Sequence, residues 1–173
     1  MSFLDKLQDI STFIFDVDGV LTDGSVLVQE DGSLLRTMNI KDGLAIKQAN
    51  SKGYQIFIIT GGKSPGLLIR LTNLGIPKEN IFMDAQEKGI IFRELINTKR
   101  IDPAKAAYMG DDIPDYLPMR LVYLPACPKD AVHEIKAISQ YVSPFDGGKG
   151  CVRDLLEKVM RVQANWFDLD IVI

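Results

Sequence analysis

Apolar positions fall along the chain in two alternating patterns. Short unbroken apolar runs alternate with longer stretches in which apolar residues recur at helical spacing. The runs Thr12–Phe15, Gln55–Ile59, Ile81–Met83, Ala106–Met109 and Val122–Leu124 predict buried strands. Helices are predicted from Asp42, read as an N-cap, to Ser51 before Gly53, and from the Ser64 cap and Pro65 to near Leu74–Gly75. Three more are predicted over Glu87–Thr98, Asp130–Ser139 and Gly150–Ala164. Strands alternating with helices imply parallel β-α-β units. One segment breaks that rhythm. Ser25–Gln29 and Leu34–Asn39 flank Glu30-Asp31-Gly32-Ser33, which predicts a β-hairpin. The fold class expected is α/β: a Rossmann-like, doubly wound, three-layer α/β/α sandwich with a parallel sheet and a hairpin flap over about 25–39.

The length of 173 residues suits one domain spanning 1–173. Twenty basic against 23 acidic residues give a formal charge of −3, which argues against a basic nucleic-acid footprint. No apolar run approaches a membrane span of about 18 residues. The opening MSFLDKLQDI lacks the basic and apolar regions of a signal peptide. Cys127 and Cys151 make neither a disulfide framework nor a C-x-x-C zinc pair, and their sparseness suits a reducing cytoplasm. The expectation is a cytoplasmic protein that binds neither nucleic acid nor membrane. The stretch 165–173 is very apolar, with Trp166, Phe167, Ile171, Val172 and Ile173.

The sharpest chemical signal follows the first strand: Asp16-Val17-Asp18-Gly19. In an open parallel sheet, ligands sit past the carboxyl ends of strands. One carboxylate there can act as nucleophile and its partner as proton donor and acceptor. Carboxylates this close repel, so a proton or a cation must neutralise them. An Asp-rich turn built around Gly19 explains the same residues without chemistry. Three further groups lie at strand ends or on the helix just beyond: Thr60-Gly61-Gly62, Lys88, and Gly110-Asp111-Asp112-Ile113-Pro114-Asp115. Each alone is a cap or a solvated charge. Together they supply a nucleophile, an acid/base, a hydroxyl donor, a cation and oxygen ligands for a metal, which is the inventory of phosphoryl transfer.

DVDGVLTDG, IITGG, Lys88 and GDDIPD resemble the four motifs of the haloacid dehalogenase superfamily of phosphatases, over about Thr12 to Met160. With the hairpin, NIKDGLAIK, GDDIPDYLPM and GGKGCVRDLLE, the chain is similar to the 3-deoxy-D-manno-octulosonate 8-phosphate phosphatases of lipopolysaccharide synthesis. The resemblance implies that Asp16 attacks phosphorus and that Asp18 protonates the leaving oxygen and then activates water. Thr60 would donate to the phosphoryl group and Lys88 would neutralise it. Mg²⁺ would be held by the Asp16 carboxylate, the Asp18 backbone carbonyl and Asp111, with Asp112 and Asp115 in support. Gly61, Gly62, Lys63 and Lys149 would face the substrate. The family often carries Arg where this chain has Gly62 and Lys149, and Arg-to-Lys is not conservative at a bidentate site. A nine-carbon 2-keto-3-deoxy acid 9-phosphate therefore stays open beside the eight-carbon substrate. Neither interval between motifs admits a cap domain, so the resemblance implies a homotetramer whose hairpins shield neighbouring sites.

Other readings fit less well. A P-loop needs a glycine where Phe57 stands. A receiver domain has no use for Asp18 and carries its phosphoryl-accepting Asp on a later strand. A non-catalytic assembly protein does not need the full set of acid, base, cation and metal ligands. His133 and Cys127, with no matching partners, read as surface and core residues.

Overall fold

The computed structural model describes residues 3–167. In chain order its elements are α1 (Phe3–Gln8), β1 (Thr12–Phe15), β2 (Leu27–Val28), β3 (Leu34–Leu35), α2 (Ile40–Ser51), β4 (Gln55–Ile59), α3 (Pro65–Asn73) and β5 (Ile81–Phe82). They continue with α4 (Lys88–Asn97), β6 (Ala106–Met109), α5 (Tyr116–Met119), β7 (Leu124–Cys127), α6 (His133–Ile138), β8 (Tyr141–Val142) and α7 (Cys151–Val162). Six strands form one sheet in the order β5-β4-β1-β6-β7-β8, and every neighbouring pair is parallel.

Strand alternation builds two cores, one on each face. Phe13, Phe15, Ile56, Ile58, Ala107 and Met109 point to the side covered by α1, α2, α3 and α7. Ile14, Phe57, Ile59, Ala106 and Tyr108 point to the side covered by α4, α5 and α6. Being buried on both faces, the central strands are continuous apolar runs, as parallel strands require. The expected three-layer sandwich is present, and no cap domain interrupts it among the described residues.

The structure corrects several boundaries. Asp42 is not the cap of α2. Asn39 is, its side chain accepting the Lys41 N–H at 2.8 Å, while Asp42 lies inside the first turn, buried. Its Oδ1 accepts the Arg153 N–H of α7 at 2.7 Å, across the helix–helix contact. The N-cap of α7 is Gly150, which has no side chain to cap it, so a residue of α2 supplies one. The strand expected at Val122–Leu124 lies further along, at Leu124–Cys127. The helix expected from Asp130 begins at His133. Cys127 is buried and His133 exposed, as read. Most of the apolar stretch 165–173 lies outside the described residues.

The hairpin differs in kind from the rest. Its strands are two residues each, and Leu27 and Val28 are each 66 % exposed, with Val26, Leu34 and Leu35 exposed as well. Of its apolar residues Met38 packs against the first core, while those of the two strands stay outside both cores.

Candidate active site

Strand register brings the first and fourth motifs side by side. Phe15 pairs with Ile58 on one side and Met109 on the other, so Asp16 leaves the sheet level with Gly110. The Asp16 N–H donates to the Met109 carbonyl at 3.1 Å. Thr60 follows β4, its N–H bonded to the Phe82 carbonyl of β5. Lys88, the first residue of α4, reaches back over the same edge. Asp16, Asp18, Thr60, Gly61, Gly62, Lys88, Asp111, Asp112 and Asp115 line one cleft of about 340 Å³.

Its floor is a buried charge cluster. Lys88 Nζ lies 2.8 Å from Asp16 Oδ2 and 2.8 Å from Asp115 Oδ1, and all three residues are buried. Asp115 Oδ1 also accepts the Tyr108 hydroxyl at 2.7 Å, and its Oδ2 accepts the Asp111 N–H at 3.2 Å. Donors thus occupy both oxygens of Asp115. Burial pushes Asp16 up to about 7, the Asp115 charge adding to it and Lys88 opposing. Burial pushes Asp111 up to about 8, reinforced by Asp16 and Asp115. Burial works against the charge on Lys88, yet Asp115 and Asp16 outweigh it and hold the ammonium above its usual range. Burial, then the Asp115 charge, keeps the Tyr108 phenol well above its ordinary value, so it serves as a neutral donor.

Three carboxylates share one ammonium, so the cluster is short of positive charge. Asp16, Asp111 and Asp115 can each bring an oxygen within 4.8 Å of the others, and Asp111 Oδ1 is buried with no hydrogen-bond partner. An all-oxygen donor set with an unsatisfied buried oxygen fits a hard divalent cation. Asp115, its lone pairs engaged by Lys88, Tyr108 and Asp111, fits the supporting place expected for it. Asp112 caps the next turn, accepting the Ile113 N–H at 2.7 Å. The Thr60 hydroxyl accepts the Gly62 N–H at 3.1 Å, which leaves its own hydrogen free to donate.

Two residues expected at the substrate do not line this cleft. Lys63 pairs with Asp84 at 3.1 Å and Lys149 with Asp23 at 3.5 Å; both are well exposed and neither lines the cleft. Sequence reasoning missed Tyr108 and Arg36. Arg36, just past β3, grips Asp18 from the side, Nε to Oδ1 at 2.6 Å and Nη2 to Oδ2 at 3.0 Å.

The loop that carries the acids is held from behind. Gly148 N–H donates to the Val20 carbonyl at 2.9 Å, and a Cβ on Gly147 would fall 2.0 Å from the Gly19 carbonyl oxygen. Only a bare backbone lets the two loops touch. Asn39 Nδ2 in turn holds the Gly148 carbonyl at 3.3 Å.

A parallel sheet with an acidic, lysine-bridged cleft at the carboxyl ends of its central strands defines a hydrolase of the haloacid dehalogenase class. No protein-family model matches the chain. It is 33 % identical over 160 residues to the Escherichia coli 3-deoxy-D-manno-octulosonate 8-phosphate phosphatase KdsC, covering 92 % of this chain and 84 % of that protein. The crystal structure of the Moraxella catarrhalis 3-deoxy-D-manno-octulosonate 8-phosphate phosphatase, in complex with magnesium, phosphate and KDO, superposes with a TM-score of 0.89 at 30 % identity. That match covers 98 % of this chain and 95 % of the other. The cobalt-bound enzyme from Haemophilus influenzae gives 0.86 at 30 % identity, covering 92 % of each chain. The chain belongs to the 3-deoxy-D-manno-octulosonate 8-phosphate phosphatase family.

Proposed function

We propose that this chain is a Mg²⁺-dependent phosphatase that hydrolyses 3-deoxy-D-manno-octulosonate 8-phosphate to the free sugar acid and phosphate. The observation that carries the reading is the buried Asp16–Lys88–Asp115 bridge with the unpartnered Asp111 oxygen beside it. Asp16 is the nucleophile. Its carboxylate attacks phosphorus, the bond from phosphorus to the sugar oxygen breaks, and that oxygen takes a proton from Asp18. Asp18, now ionised, takes a proton from water, whose oxygen attacks the phosphoryl-Asp16 anhydride. Phosphate leaves and the Asp16 carboxylate is restored. Thr60 donates its free hydrogen to the phosphoryl group, and Lys88 fixes Asp16 while offsetting the incoming charge. The Asp16 and Asp111 carboxylates and the Asp18 carbonyl would hold Mg²⁺, with Asp112 and Asp115 in support; bound there, it would neutralise charge on the phosphoryl oxygens. The enzyme is cytoplasmic, and its exposed hairpins pair in a homotetramer that covers each cleft.

Phosphate release, with Mg²⁺ and with excess chelator, tests the reading. Turnover is expected only with Mg²⁺, and with higher kcat/KM for the eight-carbon acid phosphate than for the nine-carbon 2-keto-3-deoxy acid 9-phosphate. A reversed preference would reassign the substrate, and no release from either would overturn the reading.

A further inference from the structure

We propose that Arg36 is the specificity-determining cation of this site. Its guanidinium holds Asp18 in the resting chain and exchanges it for the substrate's own carboxylate in the adjoining cavity. This rests on the phosphatase reading above. A carboxyl group that hands a proton to the leaving oxygen must turn an oxygen toward it. In the structure both Asp18 oxygens face Arg36, at 2.6 and 3.0 Å. The resting arrangement is therefore not the working one, and the pair must open when the phosphate ester binds.

Arg36 stays charged at any working pH, so on release it needs another anion. The phosphoryl group is taken by Lys88 and the floor. On its other side Arg36 lines a second cavity of about 380 Å³ under the hairpin arm. That cavity is lined by a second arginine, Arg70, by Ser64, which caps α3, and by apolar walls from Leu34, Leu35 and Leu67; among the described residues no carboxylate lines it. A cavity lined by two arginines and no acid, beside a phosphoryl-transfer cleft, suits a second anion on the same substrate. A sugar-acid phosphate carries one.

Gly62 makes the arrangement possible. A Cβ there would lie 3.1 Å from Arg36 Nη2 and 3.2 Å from Asp18 Oδ2, tighter than ordinary contact. The bare loop after Thr60 thus leaves room for a guanidinium delivered from the hairpin. Nη1 makes no hydrogen bond among the described residues, so the fork has a donor to spare. The arm that carries Arg36 is two short strands with exposed apolar faces, a segment able to move without disturbing the core.

An ester without a carboxylate leaves Arg36 on Asp18. The readout is the ratio of kcat/KM for 3-deoxy-D-manno-octulosonate 8-phosphate to that for mannose 6-phosphate, whose sugar body is neutral. Arg36→Met is expected to lower this ratio by about tenfold to a hundredfold, through a raised KM for the acid, while turnover of the neutral ester rises. Arg36→Lys, which keeps the charge but loses the fork, is expected to recover part of the ratio. A ratio unchanged in Arg36→Met overturns the proposal, because a merely structural arginine would depress both esters alike. Calorimetric titration with free 3-deoxy-D-manno-octulosonate and with its methyl ester gives an arm that needs no turnover. The wild-type chain is expected to prefer the acid, and Arg36→Met to lose that preference. If the wild-type chain releases phosphate from neither ester, the phosphatase reading falls, and this titration alone decides on Arg36: an equal preference in both proteins overturns it.

Discussion

The floor of the cleft and the hairpin arm are opposites in construction. The floor is assembled from residues far apart in sequence, Asp16, Lys88, Tyr108 and Asp115, all buried and tied by ion pairs and hydrogen bonds of 2.7–2.8 Å. The arm is local and its strands are exposed; it meets the acid loop through the Arg36 guanidinium on Asp18, with Asn39 on Gly148 and Met38 against the core behind it. The groups that must keep their geometry through bond-making sit where packing leaves no freedom. The group that has to recognise and release is itself largely covered, but the strands that carry it are exposed. Chemistry and selection are carried by parts with different mechanical properties, and they meet at a single carboxylate.

The largest effect should come from the floor. Asp16→Asn is expected to lower turnover by about 10⁴-fold or more, since an amide cannot attack phosphorus. Thermal unfolding of the metal-free variant should not fall below wild type, because one of three repelling buried carboxylates is gone. Turnover within tenfold of wild type would remove the nucleophile. Next, Lys88→Met strands Asp16 and Asp115 as buried charges without a counter-ion. It should cost about 3–5 kcal/mol in denaturant unfolding, the penalty for breaking a buried pair from one side. A cost below about 1 kcal/mol would mean that the floor is hydrated rather than dry.

A smaller effect sits behind the arm, at the contact between α2 and α7. Burial pushes Asp42 up to about 6, against the backbone N–H groups of Arg153 and Gly150 that lower it. The folded chain therefore binds this proton more tightly than the unfolded chain does. Stability should rise as the pH falls from about 6 toward 4, and the penalty of the charged form is fully present above 6. Asp42→Asn should remove that slope, on the order of 2–3 kcal/mol across the window. A slope identical in both proteins would show that Asp42 is not its source. The smallest effect belongs to the arm. Leu27→Ser with Val28→Thr should change the unfolding free energy of the chain by no more than about 0.5 kcal/mol. Sedimentation should nevertheless show loss of assembly, and a stable tetramer in this variant would move the contact elsewhere.

The same contrast decides what could be read from sequence. The central strands announce themselves because both faces are buried, and Ser64-Pro65 marks the start of α3 through local chemistry alone. Asp16, Thr60, Lys88 and Asp111 were legible because each stands at a strand end or helix start. Arg36 was not. In Leu34–Asn39 it reads as one more polar residue of a hairpin, and its pairing with Asp18 depends on how the arm folds back. Tyr108 hid inside an apolar strand, since nothing local shows that its hydroxyl meets Asp115. Asp42 misled the reading of α2, because an Asp near a helix start resembles a cap while this one caps a different helix. The strand expected at Val122–Leu124 lies further along, although proline is disfavoured within a central strand and Pro125 falls inside it. Its carbonyl still accepts the Gln140 N–H, and β7 continues to Cys127.

The contact between the Gly147–Cys151 loop and the acid loop bears on the order in which the chain is made. Cys151, whose thiol donates to the Val20 carbonyl, is separated from it by 131 residues. At ordinary rates of synthesis the nucleophile therefore leaves the ribosome about ten seconds before the residues that set its loop. Within the loop the Val17 carbonyl accepts the Val20 and Thr22 N–H groups, but the bonds from Gly148 and Cys151 to the Val20 carbonyl form only once the chain reaches α7. A chain that has not yet reached α7 carries both aspartates on a loop that lacks its bonds from Gly148 and Cys151.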